Sequence, residues 1–331
     1  MAFKSVSAFM NEIIDYAGIF PPASLTLKES FDNFMDYRLF KHNWILSKFV
    51  CPFSRLDELT ELIDGSPSIN NANPLRLTIL GSLSLDTFMF ERNILKDIQD
   101  IIKFHDTNGQ KVSIEGFETK LPTEMLAFRE SADLIDTIND FRDKIAKQIS
   151  PSVQIFLETE IMKENWVDLI DSITSALSVC NEFYSEGQDY RKLGFKLRTG
   201  GIDHDSYPTS DKIAYAIMKS INNKVPFKAT AGLHHAIRHI NEQSNTLIHG
   251  FLNIFGAGIL YQSKKISPDD MIKIIDDEQP QNFVFEDEYF SWNGYKINIE
   301  EITFARKYYM LSFGSCSFEE PRQDLRNLKL L

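Results

Sequence analysis

With 331 residues, 43% hydrophobic and 25% charged, the chain has the make-up of an ordinary globular protein and room for one large α/β domain or two smaller ones. A formal net charge of −12 argues against a nucleic-acid partner, because an acidic surface repels phosphate backbones. The charged N-terminal stretch (Glu12, Asp15), the lack of any long apolar run and three widely spaced cysteines (Cys51, Cys180, Cys316) argue against a signal peptide, a membrane span and a disulfide or zinc framework, so a cytoplasmic protein is expected.

Taken in chain order, residues 1–45 read as a helix, a break at Pro21 and Pro22 and a second helix, together capping one end of the fold. Short β-rich runs then follow at 46–51, 75–82, 111–117, 153–160, 193–198, 226–230 and 250–255. Amphipathic segments lie between them at 55–63, 85–104, 127–149, 163–181 and 210–222. Strand–helix alternation of this kind builds a parallel sheet with helices outside. Seven or eight units, with no GxGxxG after the first strand, favour a closed (β/α)8-type TIM barrel over a doubly wound sheet. An eighth strand is sought at 282–287, where a hairpin extension to 297 is the alternative. One domain is expected, with a helical cap (1–45), a barrel core (46–277) and a C-terminal extension (278–331).

Alternate residues of a barrel strand point inward. In LGFKLR, Phe195 and Leu197 suit the helix layer, which turns Lys196 and Arg198 inward. The same parity turns Lys228 and Thr230 inward in PFKAT, Glu158 and Glu160 in VQIFLETE, Ser113 and Glu115 in KVSIEGF, and Asn253 in GFLNIF. Burying several charges costs several kcal/mol per ion unless they are paired. A structural salt-bridge network explains them in one way, an anionic substrate in another. Glycine loops follow both cationic strands: Thr199, Gly200 and Gly201 after Arg198, and Gly232, His234 and His235 after Thr230. Such loops bring backbone N–H groups to an oxyanion.

On this reading Lys228 and Lys196 are the candidate nucleophiles, and Glu158, Glu115 and His234 are the proton carriers. Arg198, Thr199, Gly200, Gly201, Thr230, Gly232, His235 and Asn253 would hold an anion. No resident cofactor is expected. The alternative is a divalent metal (Mg, Mn or Zn) held by Glu115, Glu158 and His234 or His235, although no HExxH or HxH spacing supports it and the neighbouring cations oppose it. Asp15 and Tyr16 sit where they could reach over the barrel mouth. Cys316 has no base beside it in sequence, so a nucleophilic role requires a neighbour such as His234 in space.

The segments DYAGIFPPA, KLRTGG, PFKATAGLHH, GFLNIF and FGSCSFEEP resemble those of an uncharacterised family of bacterial hypothetical proteins, a likeness that spans most of the chain and implies no activity. In arrangement alone, the chain is also similar to class I aldolases of the deoxyribose-phosphate type. Those enzymes place a Schiff-base lysine and a second lysine on adjacent barrel strands near glycine-rich phosphate loops. That likeness would make Lys196 and Lys228 the pair. The expected function is a lyase acting, through a lysine Schiff base, on a small carboxylated or phosphorylated carbonyl compound. A metal-dependent isomerase or hydrolase and a non-catalytic binder of anionic metabolites are the alternatives.

Overall fold

The computed structural model describes residues 2–127, 132–183, 191–201, 204–241 and 246–331. Eight strands close into a parallel barrel: β1 (Ile14–Tyr16), β2 (Leu46–Pro52), β3 (Leu75–Leu80), β4 (Val112–Lys120), β5 (Gln154–Glu158), β6 (Gly194–Arg198), β7 (Phe227–Thr230) and β8 (Met310–Ser315). Each strand neighbours the next one in this series, and β8 pairs with β1 to close the ring. With helices between the strands, this is the (β/α)8-type barrel that the alternation predicts.

Six of the seven apolar runs became barrel strands. The seventh, 250–255, is instead the start of the helix Phe251–Gln262, in which every residue from 251 to 260 is buried. A helix that is apolar all round shows no 3.6-residue period, so its first turns read like a buried strand. The segment at 282–287 is no barrel strand either. Phe283–Phe285 pairs antiparallel with Tyr289–Trp292, which pairs with Tyr295–Asn298, in a separate three-stranded sheet. The two remaining barrel strands come from the chain ends. β1 lies inside the stretch expected to be a helical cap, and β8 follows the helix Ile299–Tyr308. Residues 128–131, at the head of the expected helix 127–149, lie outside the described residues.

The chain divides into two compact units, Met1–Ser24 with Tyr37–Ser47 and Leu197–Leu331, and Leu25–Asp36 with Lys48–Lys196. In the first, Phe313 of β8 stacks on Phe251 at 5.4 Å and meets Phe255 at 5.7 Å, both on the covering helix. That contact fixes the parity of β8 and sends Ser312 and Gly314 to the opposite, interior face. Below them, the buried guanidinium of Arg306 donates to the carbonyls of Phe9, Asn11, Met310 and Leu311, tying the helix Lys4–Met10 to the start of β8. Burial pushes the Arg306 pKa down to about 9, against the pull of Asp15 and Glu12.

In the second unit, β4 carries a bulge. Leu77 lies opposite Ile114, but Thr78 lies opposite Gly116, so Glu115 is the extra residue. From Gly116 onward the parity of β4 is reversed relative to its first residues. Gly116 itself faces Thr78 so closely that a Cβ would stand 2.5 Å from the Thr78 Oγ1. Among the described residues, no helix is long and apolar enough to cross a membrane.

Candidate functional site

Register places the polar residues of the first unit in two rows. Ser312 lies opposite Lys228, and one step on, Gly314 lies opposite both Thr230 and Asp15. Lys228 donates to Asp15 Oδ2, and the Ser312 hydroxyl donates to the same oxygen at 2.8 Å. Lys228 is 1% exposed and Asp15 fully buried. The sequence predicts a lysine flanked by cations; its observed partner is a carboxylate two strands away, across β8. A buried ion pair of this kind is compensated within itself.

The second unit holds Lys196 in another way. Its Nζ lies 2.8 Å from Glu118 and 3.0 Å from Glu158, all three being nearly buried. Burial disfavours the ammonium, but the two carboxylates outweigh it and raise the lysine's pKa above its ordinary value. Lys196 therefore keeps its proton through the neutral range. One layer further along these strands, Lys120 pairs with Glu160 at 3.3 Å.

The sequence pattern points to Glu115, whereas the structure puts Glu118 beside Lys196. The bulge is the cause, since strict alternation counted through it selects the wrong glutamate. Arg76 holds Glu115 in a bidentate pair at 2.8 and 2.9 Å. Together they line a cavity of about 490 Å³ with His105, Ser113, Ser150 and Arg191. This cavity opens at the strands' N-terminal ends, away from the face where barrel enzymes carry out chemistry. A signal was present: a lone glycine within a strand pattern, Gly116, marks a bulge.

Arg198 is exposed at the end of β6, and among the described residues no ion pair holds it. Thr199, in contrast, is buried; its hydroxyl donates to the carbonyls of Thr230 and Ala231 at 3.1 and 2.7 Å. The loops after β6 and β7 meet through their glycines. A Cβ on Gly200 would approach Tyr207 to 2.6 Å and the Gly232 Cα to 3.0 Å, while Gly232 has φ +77°. A Cβ on Gly201 would stand 2.5 Å from the Ser206 Cβ. Close packing of the two loops is thus the reason for these glycines.

The adjacent histidines diverge. His235 Nδ1 contacts Asp324 at 3.1 Å, and Asp324 also accepts from the Ala236 N–H at 2.9 Å, which fastens this loop to the helix Glu319–Asn327. His234 turns to the end of β8, where its Nδ1 lies 3.4 Å from Ser315 Oγ and 3.3 Å from Glu320. Both of its ring nitrogens are 3.8 Å from Cys316 Sγ. Burial works against the imidazolium, but bonds and charge from Cys316 and Glu320 prevail and raise the His234 pKa to about 9. The bond to His234 likewise holds the Glu320 carboxyl below its usual value. Asn253, expected on an inward strand face, is fully buried on a helix. It accepts from the Arg238 N–H and donates to the Ile274 and Asp277 carbonyls, a connection between segments that leaves its amide nothing for a ligand. Of the donors weighed for a divalent metal, Glu115 is held by Arg76 and Glu158 by Lys196. Among the described residues, no group of three His, Cys, Asp or Glu side chains is placed to hold one.

His249 illustrates a histidine with a purely structural task. Its Nε2 bonds the Pro208 carbonyl at 2.8 Å, while among the described residues its buried Nδ1 has no partner. Burial accordingly pushes its pKa down to about 4. The unfolded chain binds that proton near pH 6.5. Stability is therefore full above pH 6.5 and falls as the pH drops toward 4, by on the order of 3 kcal/mol. Urea unfolding of His249→Gln across that window should show a flatter pH dependence than the parent protein.

No family model matches the chain, and no curated protein matches it. What can be assigned to it thus comes from the barrel fold and from the groups just described.

Proposed function

We propose that the protein is a lyase of the aldolase type, acting on a small carboxylated or phosphorylated carbonyl compound through an imine at Lys228. One observation carries this reading: a buried lysine amine faces a buried carboxylate, Asp15, on the interior face of a parallel (β/α)8-type barrel. Asp15 takes a proton from the ammonium, and the freed amine attacks the substrate carbonyl carbon. The resulting carbinolamine loses its oxygen as water, to which Asp15 returns the proton. The Ser312 hydroxyl, bonded to the same Asp15 oxygen, keeps that carboxylate in place. Lys196, held as an ammonium by Glu118 and Glu158, is the poorer nucleophile of the two. Glu158 is thereby a partner of Lys196, and the proton work at Lys228 falls to Asp15.

Arg198 supplies the cation for the substrate's carboxylate or phosphate, since it stands at a strand's C-terminal end with no ion pair among the described residues. Phosphate should raise the melting temperature, because a ligand of the folded state stabilises it by mass action. At a hundred times Kd the gain is about 2.7 kcal/mol, roughly 4 °C for a chain of this size. Arg198→Ala should abolish the shift while leaving the melting temperature without phosphate unchanged. For the chemistry, borohydride reduction in the presence of pyruvate or glyceraldehyde phosphate should add a substrate-derived mass to the protein. A phosphate-dependent shift without any trapped mass would make the protein a binder of anionic metabolites and would end the lyase reading.

A further inference from the structure

The Lys228 chemistry leaves Cys316, His234 and Glu320 without a task. Cys316 follows directly on β8, at the barrel's C-terminal side, and its sulfur lies 3.8 Å from the His234 ring nitrogens. Glu320, in the first turn of the helix Glu319–Asn327, reaches His234 Nδ1 at 3.3 Å. Nucleophile, base and orienting carboxylate thus follow one another within contact distance, as a catalytic triad requires. The turn that presents the sulfur is braced. Ser315 Oγ accepts from the Ser317 N–H at 3.3 Å, and Ser317 Oγ accepts from the Glu320 N–H at 3.2 Å. Cys316 retains 7% exposure, whereas Cys51 and Cys180 are fully buried, and burial pushes the pKa of both of those thiols up to about 12.

We propose that Cys316, His234 and Glu320 form a second nucleophilic centre, at which the thiol adds to the carbonyl carbon of a small aldehyde. In the addition the Cys316 proton passes to His234, which faces Glu320 and the Ser315 hydroxyl. The sulfur's electron pair forms the S–C bond, and the carbonyl π pair moves onto oxygen. That oxygen takes the proton from His234, leaving a neutral hemithioacetal and a neutral imidazole. No leaving group, oxidant or further reactant is needed. The proposal shares with the lyase reading only the substrate's carbonyl group; it needs no imine, and its test reads sulfur.

That test is alkylation by iodoacetamide, in which sulfur displaces iodide, followed by peptide mass analysis of the native protein. Cys316 should be the cysteine modified. His234→Gln should slow its modification by about tenfold, and Glu320→Gln, a change at a half-exposed side chain, should slow it severalfold. Glycolaldehyde should protect Cys316 reversibly, and equally so in a Lys228→Met/Asp15→Asn protein that cannot form the imine. Modification rates indifferent to both His234→Gln and Glu320→Gln would overturn the proposal. So would alkylation that glycolaldehyde does not slow. Protection lost only in the Lys228→Met/Asp15→Asn protein would assign the aldehyde to the lysine and leave the sulfur without a role.

Discussion

Replacing Lys228 by methionine should destabilise the protein by about 3–5 kcal/mol, the usual cost of leaving one member of a buried ion pair without its partner. Asp15 is fully buried, so it cannot turn to water when the ammonium is gone. At roughly 1.4 °C per kcal/mol for a chain of this length, the melting temperature should fall by about 4–7 °C. The double variant Lys228→Met/Asp15→Asn should recover much of this loss, because an amide carries no charge and can still accept from Ser312. A double-mutant cycle read by urea unfolding measures the coupling directly. If the single and double variants are equally unstable, the pair contributes shape and not charge. Chemical tests of Lys228 therefore belong in the double variant, where the loss of the amine is separated from the loss of the fold.

The second large effect is kinetic. Asp15→Asn keeps the shape of the site but removes the group that takes the ammonium proton. General acid–base groups contribute typically 10²–10⁴-fold, so imine formation in Asp15→Asn should slow by about that factor. Binding of phosphate, governed by Arg198, should be unaffected. Stopped-flow observation of imine formation, together with phosphate-dependent melting, separates the two. A variant that forms the imine at the parent rate would remove Asp15 from the mechanism.

Much of this architecture was legible in the sequence, and what was not has physical reasons. The strands β2 to β7 stood out as β-rich runs flanked by amphipathic helices, and parity correctly grouped Lys196 with Glu158 and Lys228 with Thr230. β1 has three residues, too few for any periodicity to emerge. β8 ends in Gly314 and Ser315, which with Cys316 and Ser317 read as a turn until the partners Ile14–Tyr16 and Phe227–Thr230 are known. The apolar helix Phe251–Gln262 mimicked a strand because it lacks a polar face. At the site the cations were found and their partners were not. Asp15 is 213 residues from Lys228 in sequence, and only closure of the barrel between β8 and β1 brings it there. Glu118 was hidden behind one extra residue in β4. Local pattern names the groups with charge to compensate; long-range pairing decides what compensates them.

In the proposed chemistry Lys228, with Asp15, forms an imine with a carbonyl substrate. Its most direct measurement is peptide mass spectrometry of protein reduced with borohydride in the presence of pyruvate or glyceraldehyde phosphate. The expected result is a substrate-derived mass on the peptide containing Lys228, absent from Lys228→Met/Asp15→Asn, and none on the peptide containing Lys196. A mass on Lys196 instead, or no adduct on either lysine across a broad panel of carbonyl compounds, would contradict it.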